Sequence, residues 1–330
     1  MNLNLTLACG LYDRTLALKT GAVKPEGIDL NFLVMTPAEI FRRQSRHTEF
    51  DVAEMSFSTY SILLGQEDYR MIAIPVFPSR KFRQSEIIIN RNSKIETPKD
   101  LVGKRVGCSE YQQTAAVWIR GQLQHDYGVD LKEITWCFGG LNEPENWSPR
   151  IPISIPSDYN IEILNNTQCL NEMLEKGEID AVIGANLPKA FLNGSSNLDR
   201  LFPDYQAVES AYYQRTKIFP IMHIVVIKRE VYEKAPWTAM NLYSGFDKSK
   251  TYGAQLMDRV PSTLFASLPW LMAHMENTTE LMGPDPFKYG LDPQNRNNIE
   301  TLLLYNYEQG LVPKRLSIEE FFAPETHHLT

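Results

Sequence analysis

Leu5-Thr6-Leu7-Ala8-Cys9-Gly10-Leu11-Tyr12 reads as a buried strand that breaks into a polar loop, and Lys104-Arg105-Val106-Gly107-Cys108-Ser109-Glu110-Tyr111 repeats the pattern later in the chain. Each copy is followed by a helical segment, an Asp and a short apolar strand that ends in small residues. After the first copy this strand is Phe50-Asp51-Val52-Ala53-Glu54-Met55-Ser56; after the second it is Ile179-Asp180-Ala181-Val182-Ile183-Gly184-Ala185. Strand ends that open into small polar loops are where α/β folds take ligands. Two such units in one chain predict an α/β protein of two lobes with a ligand cleft between them. The apolar run Ile221-Met222-His223-Ile224-Val225-Val226-Ile227 is expected to cross back to the first lobe. Lobe 1 is therefore expected to be discontinuous, 1–103 and 223–330, and lobe 2 to span 104–222.

Between these strands the helix signals alternate as an α/β fold requires. Thr36-Pro37-Ala38-Glu39 offers a cap, a proline at the first helical position and an acid at the third, and that helix should end near His47. Ser109-Glu110-Tyr111-Gln112 again has capping-box spacing, so Tyr111 to Thr114 are expected in a first helical turn closed downstream by Gly128. Four prolines between Pro144 and Pro156 rule out long regular structure there.

With 330 residues, 43% of them apolar, the chain can bury one large core or two medium ones. A net charge of −7 argues against a general nucleic-acid surface. No apolar run is long enough for a membrane span. The start, Met1-Asn2-Leu3-Asn4-Leu5, has none of the parts of an export signal, which points to a cytoplasmic protein. Cys9, Cys108, Cys137 and Cys169 stand apart from one another and from histidines, so they read as buried thiols and not as metal ligands. A P-loop, G-x-G-x-x-G and G-x-S-x-G are all absent.

The residues suited to chemistry fall at the strand ends. Arg80 and Arg83 flank Phe82, and two guanidinium forks beside an aromatic suit a planar carboxylate. Tyr111, Gln112 and Thr114 add donors near a helix start, where free backbone N–H groups attract anions. Tyr12 and Arg14 occupy the matching loop of the first copy, and Ser56 ends the next strand. Glu54 is an acid inside an apolar strand, where an unpaired charge is expensive. Glu110, beside the expected anion site, is a second acid candidate, and His223, in its apolar strand, is either a core histidine or an acid/base.

Taken together, Leu7-Ala8-Cys9-Gly10 with Tyr12-Asp13-Arg14, Pro25-Glu26-Gly27-Ile28-Asp29-Leu30, Phe50 to Ser56, Ile74 to Arg80, Glu110 to Thr114 and Met222-His223 resemble the 4,5-dihydroxyphthalate decarboxylase family. The resemblance runs over nearly the whole chain. It implies a cytoplasmic enzyme with a type II periplasmic-binding-protein-like fold that removes one of two adjacent ring carboxylates from a small hydroxylated aromatic dicarboxylate. In that reading Arg80 and Arg83 grip carboxylates, and His223, Glu54 and Glu110 are the acid/base candidates. No cofactor is expected; a divalent metal on the substrate's oxygens and a homo-oligomer both stay open. The alternatives are a binding protein or sensor for an aromatic acid, and another enzyme of this fold such as a dehydratase.

Overall fold

The structure is a computed structural model and describes residues 2–258 and 267–330. The chain begins β1 (Leu3–Cys9), α1 (Asp13–Thr20), β2 (Ile28–Val34), α2 (Pro37–His47), β3 (Val52–Ser56), α3 (Phe57–Gly65) and β4 (Met71–Arg80). It continues through β5 (Ile88–Asn90), β6 (Arg105–Cys108), α4 (Thr114–Tyr127), β7 (Thr135–Phe138) and β8 (Asn160–Ile163). Next come α5 (Leu170–Lys176), β9 (Ala181–Ile183), α6 (Lys189–Leu192), β10 (Leu198–Arg200) and α7 (Tyr205–Thr216). The remainder is β11 (Ile221–Lys228), α8 (Arg229–Lys234), α9 (Thr238–Asp258), α10 (Leu271–Met282), α11 (Pro293–Glu308) and α12 (Ile318–Phe321). No helix among the described residues is long and apolar enough to cross a membrane.

Contacts divide the chain into two compact units. One comprises Met1–Arg80, Ile221–Glu300 and Leu316–Thr330; the other comprises Lys81–Pro220 and Thr301–Arg315. The first is built on a sheet ordered β2-β1-β3-β11-β4, with β1 parallel to β2 and β3 and β11 antiparallel to β3 and β4. The second has the order β10-β5-β9-β6-β7-β8, with β6 parallel to β7 and β9 and β5 antiparallel to β9 and β10. The two sheets share a plan: β2-β1-β3 matches β7-β6-β9, and the next place is taken by an antiparallel strand, β11 or β5. That plan is the structural content of the repeated sequence signature. Asp51 Oδ2 accepts the Thr6 N–H at 2.8 Å, and Asp180 Oδ2 accepts the Arg105 N–H at 2.9 Å. Each copy thus uses its Asp to satisfy a backbone donor of the neighbouring parallel strand.

The division differs in detail from the sequence expectation. Residues 81–103 group with the second unit because β5 pairs with β9 and β10. Residues 301–315 do so as well: Gln309 accepts from Arg120 Nε at 2.8 Å and donates to Val117 O at 3.0 Å. β3 is buried at all five positions and β11 at six of its eight, the continuous apolar habit of strands covered on both faces. In the second unit, Ile88, Cys137, Leu170, Leu174 and Val182 pack in one core cluster. All four cysteines are buried and unbridged.

α2 starts at Pro37 behind Thr36 and ends at His47, with Thr48 in the left-handed conformation at φ 47°. α4 departs from the expectation. Its N-cap is Gln113 and its first residue Thr114, so Tyr111 and Gln112 precede the helix. The reason lies outside the local sequence: Arg120 Nη2 binds the Tyr111 carbonyl at 2.5 Å, and the Tyr111 hydroxyl donates to Gln309 O at 2.7 Å. Those bonds draw Tyr111 into the core of the second unit and out of a helical turn.

Candidate active site

Glu54 lies at the centre of β3 with a fully buried side chain. A carboxylate in such a place needs its lone pairs filled. Oε2 accepts the Gly10 N–H at 2.8 Å and faces the Cys9 thiol at 3.5 Å. Oε1 accepts the Tyr12 hydroxyl at 2.8 Å and lies 2.6 Å from His223 Nδ1. Burial alone would raise the pKa of Glu54, but the His223, Gly10 and Tyr12 bonds outweigh it and hold the carboxyl below its ordinary value. Glu54 is therefore ionised, and His223 Nδ1 is the donor toward it. The second copy of the signature has Ile183 where the first has Glu54. The strand itself has no need of an acid.

The sheet register explains why these residues meet. Val225 lies opposite Glu54 and His223 opposite Ser56 across the β3–β11 ladder, so Glu54 and His223 are diagonal neighbours on one face. On its other side β11 meets β4 with register shifts on both sides of His223. β4 carries Pro75 and Pro78, which have no N–H for the ladder, and prolines of this kind belong to edge strands and bulges. The freed carbonyls are used elsewhere: Pro75 O accepts from Gly290 N at 2.9 Å and Pro78 O from Arg14 Nε at 2.5 Å. Phe41 of α2 meets the His223 ring edge-on at 4.8 Å between centroids. The ring is thus fixed by Glu54 and Phe41, while Nε2 has no protein partner among the described residues.

Gly10 permits the Tyr12 contact. A Cβ at Gly10 would lie 2.6 Å from Tyr12 Cζ, so any side chain there would displace the ring. Burial first, and then the Glu54 charge, push the Tyr12 phenol far above its usual range, and it stays protonated as a donor. The guanidinium of Arg14 lies 4.3 Å from the centroid of the Tyr12 ring. Cys9, Gly10, Tyr12, Arg14, Glu54 and His223 therefore form one connected cluster in the first unit.

The other expected site residues have different surroundings. Ser56 caps α3, accepting from Thr59 N at 3.4 Å. Glu110 forms an ion pair through both oxygens with Arg150 Nη2 at 2.7 and 2.8 Å. Tyr111 is committed to the core contacts described above, and Thr114 is buried at the start of α4. Gln112 is 1% exposed, and neither atom of its amide has a hydrogen-bond partner among the described residues. A buried amide in that state costs about 1–3 kcal/mol per unsatisfied group and favours a ligand contact. Arg83 is buried in the second unit, and desolvation, only partly offset by Glu86 and Glu209, pushes its pKa down to about 10. Phe82 beside it packs on Phe219 at 4.7 Å instead of facing an anion. Sequence reasoning missed Arg150, hidden in a proline-rich stretch, and Phe41, one apolar residue of an ordinary amphipathic helix. Among the described residues no group of three or more His, Cys, Asp or Glu side chains is placed to hold a metal ion.

Arg80 is engaged within the first unit. It is buried, and its Nη2 donates to Lys288 O at 2.9 Å and Asn295 Oδ1 at 2.6 Å. Asn295 in turn donates to Gly290 O at 2.9 Å. These bonds tie the end of β4 to the loop ahead of α11. Arg80→Met is expected to lower unfolding free energy by about 1.5–3 kcal/mol, as for lost hydrogen bonds to a charged group. Substrate KM should move less than twofold. Denaturant unfolding and steady-state kinetics on the same preparation check both halves of that expectation.

Fold and cluster first define a class. Among solved structures the chain is similar to the periplasmic aliphatic sulphonate binding protein SsuA of Escherichia coli, with a TM-score of 0.58 at 12% identity over 99% of each chain. It is also similar to the alkanesulfonate-binding protein SsuA of Xanthomonas axonopodis pv. citri bound to MOPS, with a TM-score of 0.54 at 10% identity over 98% of this chain and 99% of that one. The fold is thus the α/β fold of type II periplasmic binding proteins, here carrying a buried Glu–His pair. No family model matches the chain. Among curated proteins, 4,5-dihydroxyphthalate decarboxylase of Comamonas testosteroni is 35% identical over 322 residues, 98% of this chain and 97% of its own. The protein of the same name from Pseudomonas putida is 40% identical over 212 residues, 64% of this chain and 82% of its own. The chain belongs to the 4,5-dihydroxyphthalate decarboxylase family and is a carboxy-lyase.

Proposed function

We propose that the chain converts 4,5-dihydroxyphthalate to 3,4-dihydroxybenzoate (protocatechuate) and CO2, with His223 as the proton donor and Glu54 as the group that orients it. The observation that carries this reading is the His223 ring, bound at Nδ1 by an ionised buried carboxylate and left without a protein partner at Nε2. A carboxylate on one ring nitrogen fixes the tautomer and steadies the imidazolium, which leaves the other nitrogen to exchange a proton with substrate. The names of the two curated relatives supply the substrate.

The chemistry balances without a redox partner. The hydroxyl para to the departing carboxylate releases its proton and pushes electrons into the ring. The carbon bearing that carboxylate takes a proton from His223 Nε2. The C–C bond to the carboxylate then breaks, its electron pair restores aromaticity, and the phenol oxygen is reprotonated. The net change is one proton consumed and one CO2 released. Glu110, held by Arg150, suits an acceptor more than a proton donor, so this reading gives the donor's part to His223 alone. Membership of an enzyme family removes the support for a binding protein or sensor.

Purified protein given 4,5-dihydroxyphthalate should release one CO2 per protocatechuate formed. In D2O the product should gain one deuterium, on the ring carbon ortho to the remaining carboxylate. Absence of both products from folded protein would overturn the substrate, and product without ring deuterium would overturn the proton-transfer step.

A further inference from the structure

The guanidinium of Arg14 lies between two aromatic faces, 4.3 Å from the Tyr12 ring centroid and 4.4 Å from that of Phe287. Cation–π contacts on both sides fix its plane and cost it little, because guanidinium is weakly hydrated. Its edges are only partly used. Nε donates to Pro78 O at 2.5 Å, the carbonyl freed by the bulge in β4, and Nη1 pairs with Asp13 at 3.0 Å. Nη2 has no hydrogen-bond partner among the described residues, and the side chain keeps 15% of its surface exposed. The same Tyr12 that stacks on Arg14 donates to Glu54, which holds His223. A fixed cation with a spare donor thus stands three contacts away from the proposed proton donor.

We infer that Arg14, clamped by Tyr12 and Phe287, holds the substrate carboxylate that stays on the ring. This rests on the decarboxylation proposed above. Its logic is electrostatic. In decarboxylation the departing carboxylate gives its charge to the ring and becomes neutral CO2. A cation bound to that group stabilises the ground state more than the transition state and slows the reaction. A cation bound to the retained carboxylate keeps its partner throughout, so it strengthens binding without opposing the chemistry. Arg14 therefore selects for a dicarboxylate: one carboxylate to anchor, its neighbour to lose.

The product keeps only the anchored group, which makes it the discriminating probe. Arg14→Met should raise KM for 4,5-dihydroxyphthalate and the inhibition constant for 3,4-dihydroxybenzoate together, each by about 10- to 100-fold, as expected for a lost charge-assisted hydrogen bond. Inhibition by catechol, which has no carboxylate, should change less than twofold. Arg14→Lys should recover part of the loss, and Phe287→Leu, which removes one face of the clamp, should shift both constants in the same direction by a smaller factor. A higher KM with unchanged product inhibition would place Arg14 on the departing carboxylate and overturn the inference. A fall in kcat alone, or no change, would overturn it too. Calorimetric titration of 3,4-dihydroxybenzoate into parent and Arg14→Met protein reads the same difference without turnover. The anchor can therefore fail while the decarboxylation stands, and the reverse.

Discussion

His223→Gln is expected to lower kcat by about 10²–10⁴-fold, the usual contribution of a positioned general acid, while leaving the inhibition constant of the product within about twofold. Glutamine can still donate an amide N–H toward Glu54 Oε1 where Nδ1 now lies at 2.6 Å. The buried carboxylate keeps a partner and the fold is not asked to absorb an orphaned charge. What disappears is the titrating nitrogen. The Phe41 contact at 4.8 Å is an edge-on packing that an amide can partly replace. A variant that folds, binds product and still turns over within threefold of the parent would make His223 a core histidine. The proton would then have to come from another group.

The doubled signature was legible because its two copies use the same physics. Both have a parallel strand pair, an Asp on the neighbouring strand's N–H, and small residues where the chain leaves the sheet. β11 was legible as a return strand from its length and apolar run. β5 was not: three residues carry no periodicity, and its partners β9 and β10 lie far along the sequence. The start of α4 was misplaced for a related reason. Ser109 to Gln112 has the spacing of a cap, but local spacing carries no information about Arg120 and Gln309 pulling Tyr111 the other way.

Glu54 and His223 could each be singled out as polar residues in apolar strands. Their pairing could not, since 169 positions separate them and only the sheet register brings them together. Arg80 shows the converse. Two arginines around a phenylalanine look like an anion grip, yet Lys288 and Asn295, more than 200 positions away, use Arg80 internally. Phe287 gave no signal at all. An aromatic in a loop acquires meaning only when a cation is found against its face.

Glu54→Gln is the second large expected effect, and it acts on both rate and acid stability. Glu54 accepts from Gly10 N, the Tyr12 hydroxyl and His223 Nδ1 and faces the Cys9 thiol. An amide has one oxygen for these donors and an NH2 that points two more hydrogens at them. Either Nδ1 loses its acceptor or the ring takes the other tautomer, and in both cases Nε2 is no longer held as the donor. A kcat loss of about 10²–10⁴-fold is expected, in the range of mutations that upset a carboxylate–histidine tautomer. The pH dependence has a definite sign. The folded pKa of Glu54 lies below its ordinary value of 4.5, so the folded state binds this proton less readily than the unfolded chain. The associated stability is fully present above that ordinary value and is lost as pH falls through the folded value. Urea unfolding of the parent should therefore show a steeper acid decline than that of Glu54→Gln, while the variant is the less stable of the two at neutral pH. Parallel acid declines in both proteins would mean that Glu54 is not the ionised centre of the cluster, and a variant with parental kcat would separate His223 from its carboxylate.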